Sequence, residues 1–139
     1  MTVPKDYRRA SEQFDDLLKD AAVEAGLETR NQAYTMLQGV LQVFRRRLEV
    51  QDAINFAQVL PPLTRALFME NWDPGQALSS NWDSSALSRE VQQLRVHHNF
   101  SPDTAIQNVA AALRKHVDQT EFTKCLAHLP PEARAFWEE

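Results

Sequence analysis

Two arginines are the side chains best suited to hold a ligand in this sequence. Arg65 lies in LPPLTRALFME, positions 60–70, and Arg134 in LPPEARAFWEE, positions 129–139, each at the same step after a proline pair. A guanidinium is a planar fork that can grip a carboxylate or phosphate through two parallel hydrogen bonds. A second role competes with ligand binding. Each arginine falls about one turn inside a helix that opens at proline, so it can tie that helix to an acid such as Glu49 or Asp118. It can equally reach the unpaired carbonyls of the helix before it. Repetition favours the structural role, because a duplicated residue has to serve each copy.

Other reactive types are scattered. His97 and His98 are adjacent, and neighbours on a helix point about 100° apart, which suits one metal ion poorly. His116 and His128 stand far away, and no His-Glu-x-x-His pattern occurs. Cys125 falls on an apolar stripe and is expected in the core, whereas a nucleophile would need a neighbouring base and an exposed thiolate. Gly26, Gly39 and Gly75 are isolated, so no glycine-rich phosphate loop forms. No spacing suggests paired carboxylates or a Ser-His-Asp set. No catalytic residue, metal site or cofactor is therefore expected, and the balance leans against an enzyme without deciding it.

Charge narrows the partners. The net charge is −4, with nine basic against ten acidic residues up to position 70 and six against nine beyond it. Neither half has the basic excess that phosphate backbones require, so no nucleic acid is expected. The run Arg45-Arg46-Arg47 fans over nearly a whole helical turn and is expected to form a solvated face with its stems over apolar edges. No apolar run approaches the roughly 20 residues that cross a bilayer, and Met1–Ala10 has no apolar core of a secretory signal. With one cysteine and no internal disulfide, a cytoplasmic, membrane-free setting is expected.

The elements that must position these residues are helices. Hydrophobic residues make up 43% of the chain and only three glycines occur, which favours an ordered helical domain. Phe14, Leu17, Leu18, Ala21, Ala22 and Ala25 stripe a first helix that Gly26 can end. Thr29 and Gln32 form a capping box for the second, striped by Ala33, Leu37, Val40, Leu41, Phe44 and Leu48. A short third helix carries Val50, Ala53, Ile54, Ala57 and Leu60. It stops there because proline disfavours helical angles in the residue before it. Pro62 then opens the fourth.

Asn71–Asp83 is rich in turn formers and reads as a linker. Its two Asn-Trp-Asp triplets suggest indoles packed on helices and polar caps more than a binding motif. A fifth helix follows on Leu87, Val91 and Leu94. The sixth is expected from Pro102 with Ser101 as its cap, and carries Ile106, Val109, Ala110, Leu113 and Val117. The seventh carries Phe122, Cys125, Leu126 and Leu129, and Pro130–Pro131 turn the chain into the eighth.

The two proline corners belong to a longer repeat. A shift of 69 positions lays Leu60 on Leu129, and six of the eleven residues from there are identical. Phe44-Arg45-Arg46-Arg47-Leu48-Glu49 falls on Leu113-Arg114-Lys115-His116-Val117-Asp118, and Cys125 falls on Phe56. Such a period reassigns shared residues from site to frame. The segments GVLQVFRRRLEVQDAINFAQVLPPLTRALF, 39–68, and AAALRKHVDQTEFTKCLAHLPPEARAFW, 110–137, carry a Leu-Pro-x-x-x-Arg corner each. In this they resemble an uncharacterised bacterial family, domain of unknown function 2267. The resemblance implies an all-helical, duplicated fold and implies no activity.

The chain is thus expected to be all-α: one domain over 1–139, about eight helices in two tandem four-helix repeats, 10–70 and 84–139, joined by 71–83 and related by an approximate internal twofold. The expected function is a non-catalytic protein-interaction or regulatory module that binds a protein partner or itself. Trp72, Trp82, Phe136 and Trp137 are the expected contact surface. The alternative is a small anionic-ligand binder or enzyme with a pocket between the repeats, where Arg65 or Arg134 holds the anion.

Overall fold

A computed structural model of the chain describes residues 3–138. The expectations that touch Met1, Thr2 and Glu139, the counterpart of Glu70, lie outside the described residues. Among these residues there are helices and no strands. They are α1 Lys5–Arg8, α2 Ala10–Ala25, α3 Arg30–Arg45, α4 Val50–Gln58, α5 Pro62–Met69, α6 Ser84–Gln93, α7 Ala105–Arg114, α8 Gln119–Ala127 and α9 Pro131–Trp137, with one 3₁₀ turn, Val96–His98. The chain is all-α, and its helices α2 to α9 are the eight that the apolar stripes and the proline corners predict. The four-residue α1 has no stripe, and nothing in the sequence pattern announces it.

Local chemistry sets the ends of these helices. Gly26 takes φ 68°, and Leu27 N–H then reaches back to the Ala22 carbonyl at 2.8 Å, closing the last turn of α2. Thr29 Oγ1 accepts from Gln32 N–H at 3.1 Å, while Gln32 Oε1 accepts from Thr29 N–H at 3.2 Å, as the capping box requires. Asp83 and Asp118 cap α6 and α8 through the amides of Ala86 and Glu121, both at 3.0 Å. Pro62 and Pro131 occupy the first positions of α5 and α9.

One boundary differs from expectation. The helix expected from Pro102 begins at Ala105, and Ser101 does not cap it. Asn99 explains the delay: its Oδ1 accepts from Ser101 N–H at 2.9 Å, and its amide donates to the Val91 and Leu94 carbonyls at 2.8 and 2.7 Å. Ser101 is thereby drawn inward to 7% exposure, and Pro102–Thr104 forms a turn instead. The joint pivots on Arg95, which takes φ 51° sixty-nine residues after the glycine at φ 68°.

The helices share one apolar core. α2 packs against α3 and α7, and α3 packs against α6, α5 and α7. The first helix of each half therefore lies across the second helix of the other. Gly39 allows this at α3 and α6, where a Cβ would stand 3.1 Å from the Val91 carbonyl oxygen. Aromatic rings from both halves fill the centre. Phe44 lies 4.9 Å from Phe136 and 5.3 Å from Trp137, and Trp137 stacks on Phe56 at 5.4 Å. Contacts of this kind add a geometric preference to the large area that each ring buries.

Candidate functional site

Helix α4 ends against the Pro61–Pro62 corner, where the amides of Val59 and Leu60 satisfy its last carbonyls only in part. Arg65, one turn into α5, reaches back to them: its Nε donates to the Ala57 carbonyl at 2.8 Å and its Nη2 to the Leu60 carbonyl at 2.9 Å. A cation there also suits the negative end of the helix dipole. Arg134 sits at the matching step of α9 but is used differently, its Nε being buried without a hydrogen-bond partner among the described residues. Neither arginine pairs with a carboxylate among those residues.

The run 45–47 does not form the expected solvated face. Its three side chains fan out, and each meets a different part of the fold. Arg45 Nη1 donates to the Phe68 and Glu70 carbonyls at 2.7 and 2.9 Å, with its guanidinium 5.9 Å from the Trp72 ring. Burial, and then the charge of Arg46, pull the Arg45 guanidinium below its usual value. Arg46 pairs with Glu90. Arg47 is buried, donating to Glu90 Oε2 at 2.6 Å, the Asn81 carbonyl at 2.7 Å and the Val43 carbonyl at 2.8 Å.

Of the four aromatic residues expected at a contact surface, two are withdrawn from it. Phe136 is 7% exposed and Trp137 is 0% exposed, because α9 turns its apolar face into the core between Phe44 and Phe56. Trp72 and Trp82 are half-buried. Trp82 packs edge-on to Phe44 and Phe136 at 6.4 and 6.3 Å, under the Arg47 guanidinium at 5.9 Å.

His97 and His98 are exposed on the 3₁₀ turn, and His128 is exposed at the end of α8. Cys125 is half-buried, and burial, then the Asp52 carboxylate, push its thiol up. No group of three or more His, Cys, Asp or Glu side chains placed to hold a metal ion occurs among the described residues.

Two of the concave surfaces bear on these residues and on the apolar face beside them. A cleft of about 400 Å³ brings Arg65 and Pro61–Pro62 of the first half against His116, Asp118 and Glu121 of the second, with α1 along its edge. His116 in turn lies 2.6 Å from Asp20. In the sequence His116 stands remote from every other candidate, and only its position on Arg47 under the 69-residue shift hints at a shared role. The other surface is an open groove of about 450 Å³ between α2, α3 and α5, lined by Phe14, Tyr34, Leu63, Ala66, Leu67, Met69 and Glu70. Sequence reasoning misses it because its residues come from three elements and share no period.

The fold and these surfaces define an all-helical protein whose halves interlock around one aromatic core. No helix of the described residues is long and apolar enough to cross a membrane. The chain belongs to the family described as uncharacterized conserved protein (DUF2267), whose model matches residues 14–136. No curated protein matches the chain.

Proposed function

We propose that this protein is a non-catalytic protein-interaction module, built from tandem repeats 10–70 and 84–139 about an approximate internal twofold. Its groove between α2, α3 and α5 receives an amphipathic helix of a partner. One observation carries this reading: four of the hydrophobic residues that line the groove are acidic in the other copy. Phe14, Tyr34, Leu63 and Met69 have Asp83, Asp103, Glu132 and Glu138 as their counterparts 69 positions on. A frame residue would recur in both copies, so apolar groups kept in one copy and only partly buried against the core have a face left for something else. Leu63 is 36% exposed there, and Glu70 at the rim offers a carboxylate to a basic residue on the incoming helix. The half-exposed faces of Trp72 and Trp82 are a second contact candidate. The lone free cysteine supports a reducing bacterial cytoplasm as the setting.

Selection of helical peptides from a displayed library, with counter-selection on L63E, tests the groove. The substitution installs the residue of the second copy, so the fold should tolerate it. Recovered peptides should carry apolar anchors at i, i+3 or i+4 and i+7 and should lose binding to L63E. Peptides that bind both proteins equally, or no enrichment at all, would overturn the reading.

A second reading is favoured by Arg65 and His116 facing one cleft: a small anion bound between the halves. Its weakness is electrostatic, since Asp6, Asp118 and Glu121 line the same cleft and repel an anion. Calorimetric titration with inorganic phosphate decides it. Heat that disappears in R65Q would support an anion site, and absence of heat in the parent would remove it.

A further inference from the structure

Helix α1 lies over the hollow between the halves and is held there by little. Arg9, at φ −106° and ψ 15°, breaks it from α2, and none of its residues is buried. Among the described residues neither Lys5 nor Arg9 forms an ion pair. Asp6 lines the cleft of about 400 Å³ described above and also a neighbouring one of about 310 Å³. Pro61, Pro62 and His116 line both as well, so the two clefts are parts of one hollow that α1 bridges.

Two features of this hollow lack an answer within the chain. The first is Gln13 of α2, which lines the smaller cleft. Its Nε2 and Oε1 are both buried, and neither has a hydrogen-bond partner among the described residues. A carboxamide in that state has given up water without gaining a partner. The second is charge. Apart from α1, the walls carry four carboxylates: Glu12 and Asp16 of α2, and Asp118 and Glu121 at the start of α8. Against them stand Arg65, already donating to two carbonyls, and His116, which faces Asp20. Over these acids α1 lays Lys5 and Arg9, with Asp6 as its one acid there.

We propose that the hollow under α1 is a docking site for a basic, extended segment of a partner protein, and that α1 is a strap occupying it in competition. Gln13 offers one amide donor group and one acceptor, and a peptide unit of an extended chain answers both. Lysine or arginine side chains on that segment meet Glu12, Asp16 and Glu121. These acids are exposed, so they contribute selectivity and rate of approach more than affinity. Reaching the Gln13 amide requires α1 to lift, and the apparent affinity falls by the fraction of molecules in which it has lifted. A polyamine is a poorer occupant, because it supplies charge and donors but no acceptor for Gln13 Nε2. The groove beside Leu63 is a different surface, and this inference does not rest on it.

Fluorescence anisotropy with a labelled, capped copy of positions 3–9, VPKDYRR, tests the site. K5E/R9E turns the strap against the acids beneath it and should raise the affinity for this peptide about tenfold over the parent chain. Adding E12Q/D16N to that variant should remove most of the gain. Q13L should also weaken binding, yet leave the melting temperature unchanged or higher, since the amide it removes has no partner. A copy of the peptide with glutamate in place of its lysine and arginines should not bind. Equal affinity for the parent and K5E/R9E, equal binding of the glutamate peptide, or no binding by any of the proteins at millimolar peptide would overturn the proposal. Spermine displacing the labelled peptide as well as the unlabelled peptide does would overturn it too, by assigning the site to the acids alone.

Discussion

Arg114 Nη2 donates to the main-chain carbonyl of Trp137 at 2.5 Å, and sixty-nine residues earlier Arg45 Nη1 donates to the carbonyl of Phe68 at 2.7 Å. The two bonds do the same work. Each takes a cation from the end of a long helix and places it on the last carbonyls of the short helix that follows the proline corner. The short helices are eight and seven residues long, too short to hold themselves together in isolation. Arg45→Ala and Arg114→Ala should each destabilise the protein by about 1.5–3 kcal/mol, the range for a hydrogen bond involving a charged group. Urea unfolding measures this. A loss below a few tenths of a kcal/mol would show that water replaces the guanidinium freely.

The proline corner makes a related prediction. Pro61 has φ −60° and ψ 156°, outside the helical region, and Pro62 cannot donate to α4, so the chain has to turn between Leu60 and Leu63. Replacing both prolines with alanine frees that segment and lets α4 compete to run on. Stability should fall by about 1–3 kcal/mol. An unchanged melting temperature would show that Arg65 alone holds the corner.

The two joints between the first and second helix of each half need the same left-handed residue, and only one has the residue suited to it. A Cβ at Gly26 would have no neighbour within 4 Å, so the cost of Gly26→Ala is conformational, about 1 kcal/mol. Arg95 already bears such a cost at φ 51°. Arg95→Gly should therefore stabilise by roughly 0.5 kcal/mol, the relief of strain being partly offset by the freer unfolded chain. Thermal and urea unfolding of the two variants measure both shifts. If Arg95→Gly destabilises, the arginine side chain is holding the joint by contacts of its own.

Cys125 should be a slow thiol. Burial and then the Asp52 carboxylate raise it above its ordinary value, so less thiolate is present at any mildly alkaline pH. Alkylation by iodoacetamide at about pH 8 should proceed more slowly than for glutathione, whose thiol is unperturbed. Asp52→Asn should speed it. A rate at or above that of glutathione would contradict the burial argument.

Much of the frame is legible in the sequence. Period-3.6 stripes mark α2, α3, α4, α6, α7 and α8 because each helix buries one face, and burial acts on residue type at fixed spacing. The capping box at Thr29, the terminator at Gly26 and the proline starts at 62 and 131 are readable because they act within one turn of chain. Reading fails where a distant partner decides the outcome. Asn99 holds Ser101 away from its cap through bonds back to α6, and nothing in NFSPD announces that. Arg47 reads as solvent-facing because its neighbours in sequence are charged, yet Glu90 and the Asn81 carbonyl, far along the chain, bury it.

By itself the amino-acid order determined the helices, most of their ends and the 69-residue correspondence, since all three rest on local geometry and residue identity. Only the tertiary structure decided which half's helix lies on which. That crossing brings Asp20 to His116 and Glu90 to Arg47, puts Arg65 across a cleft from Asp118, and leaves the groove beside Leu63 uncovered. These relations depend on how packed faces meet in space, where sequence separation carries no weight.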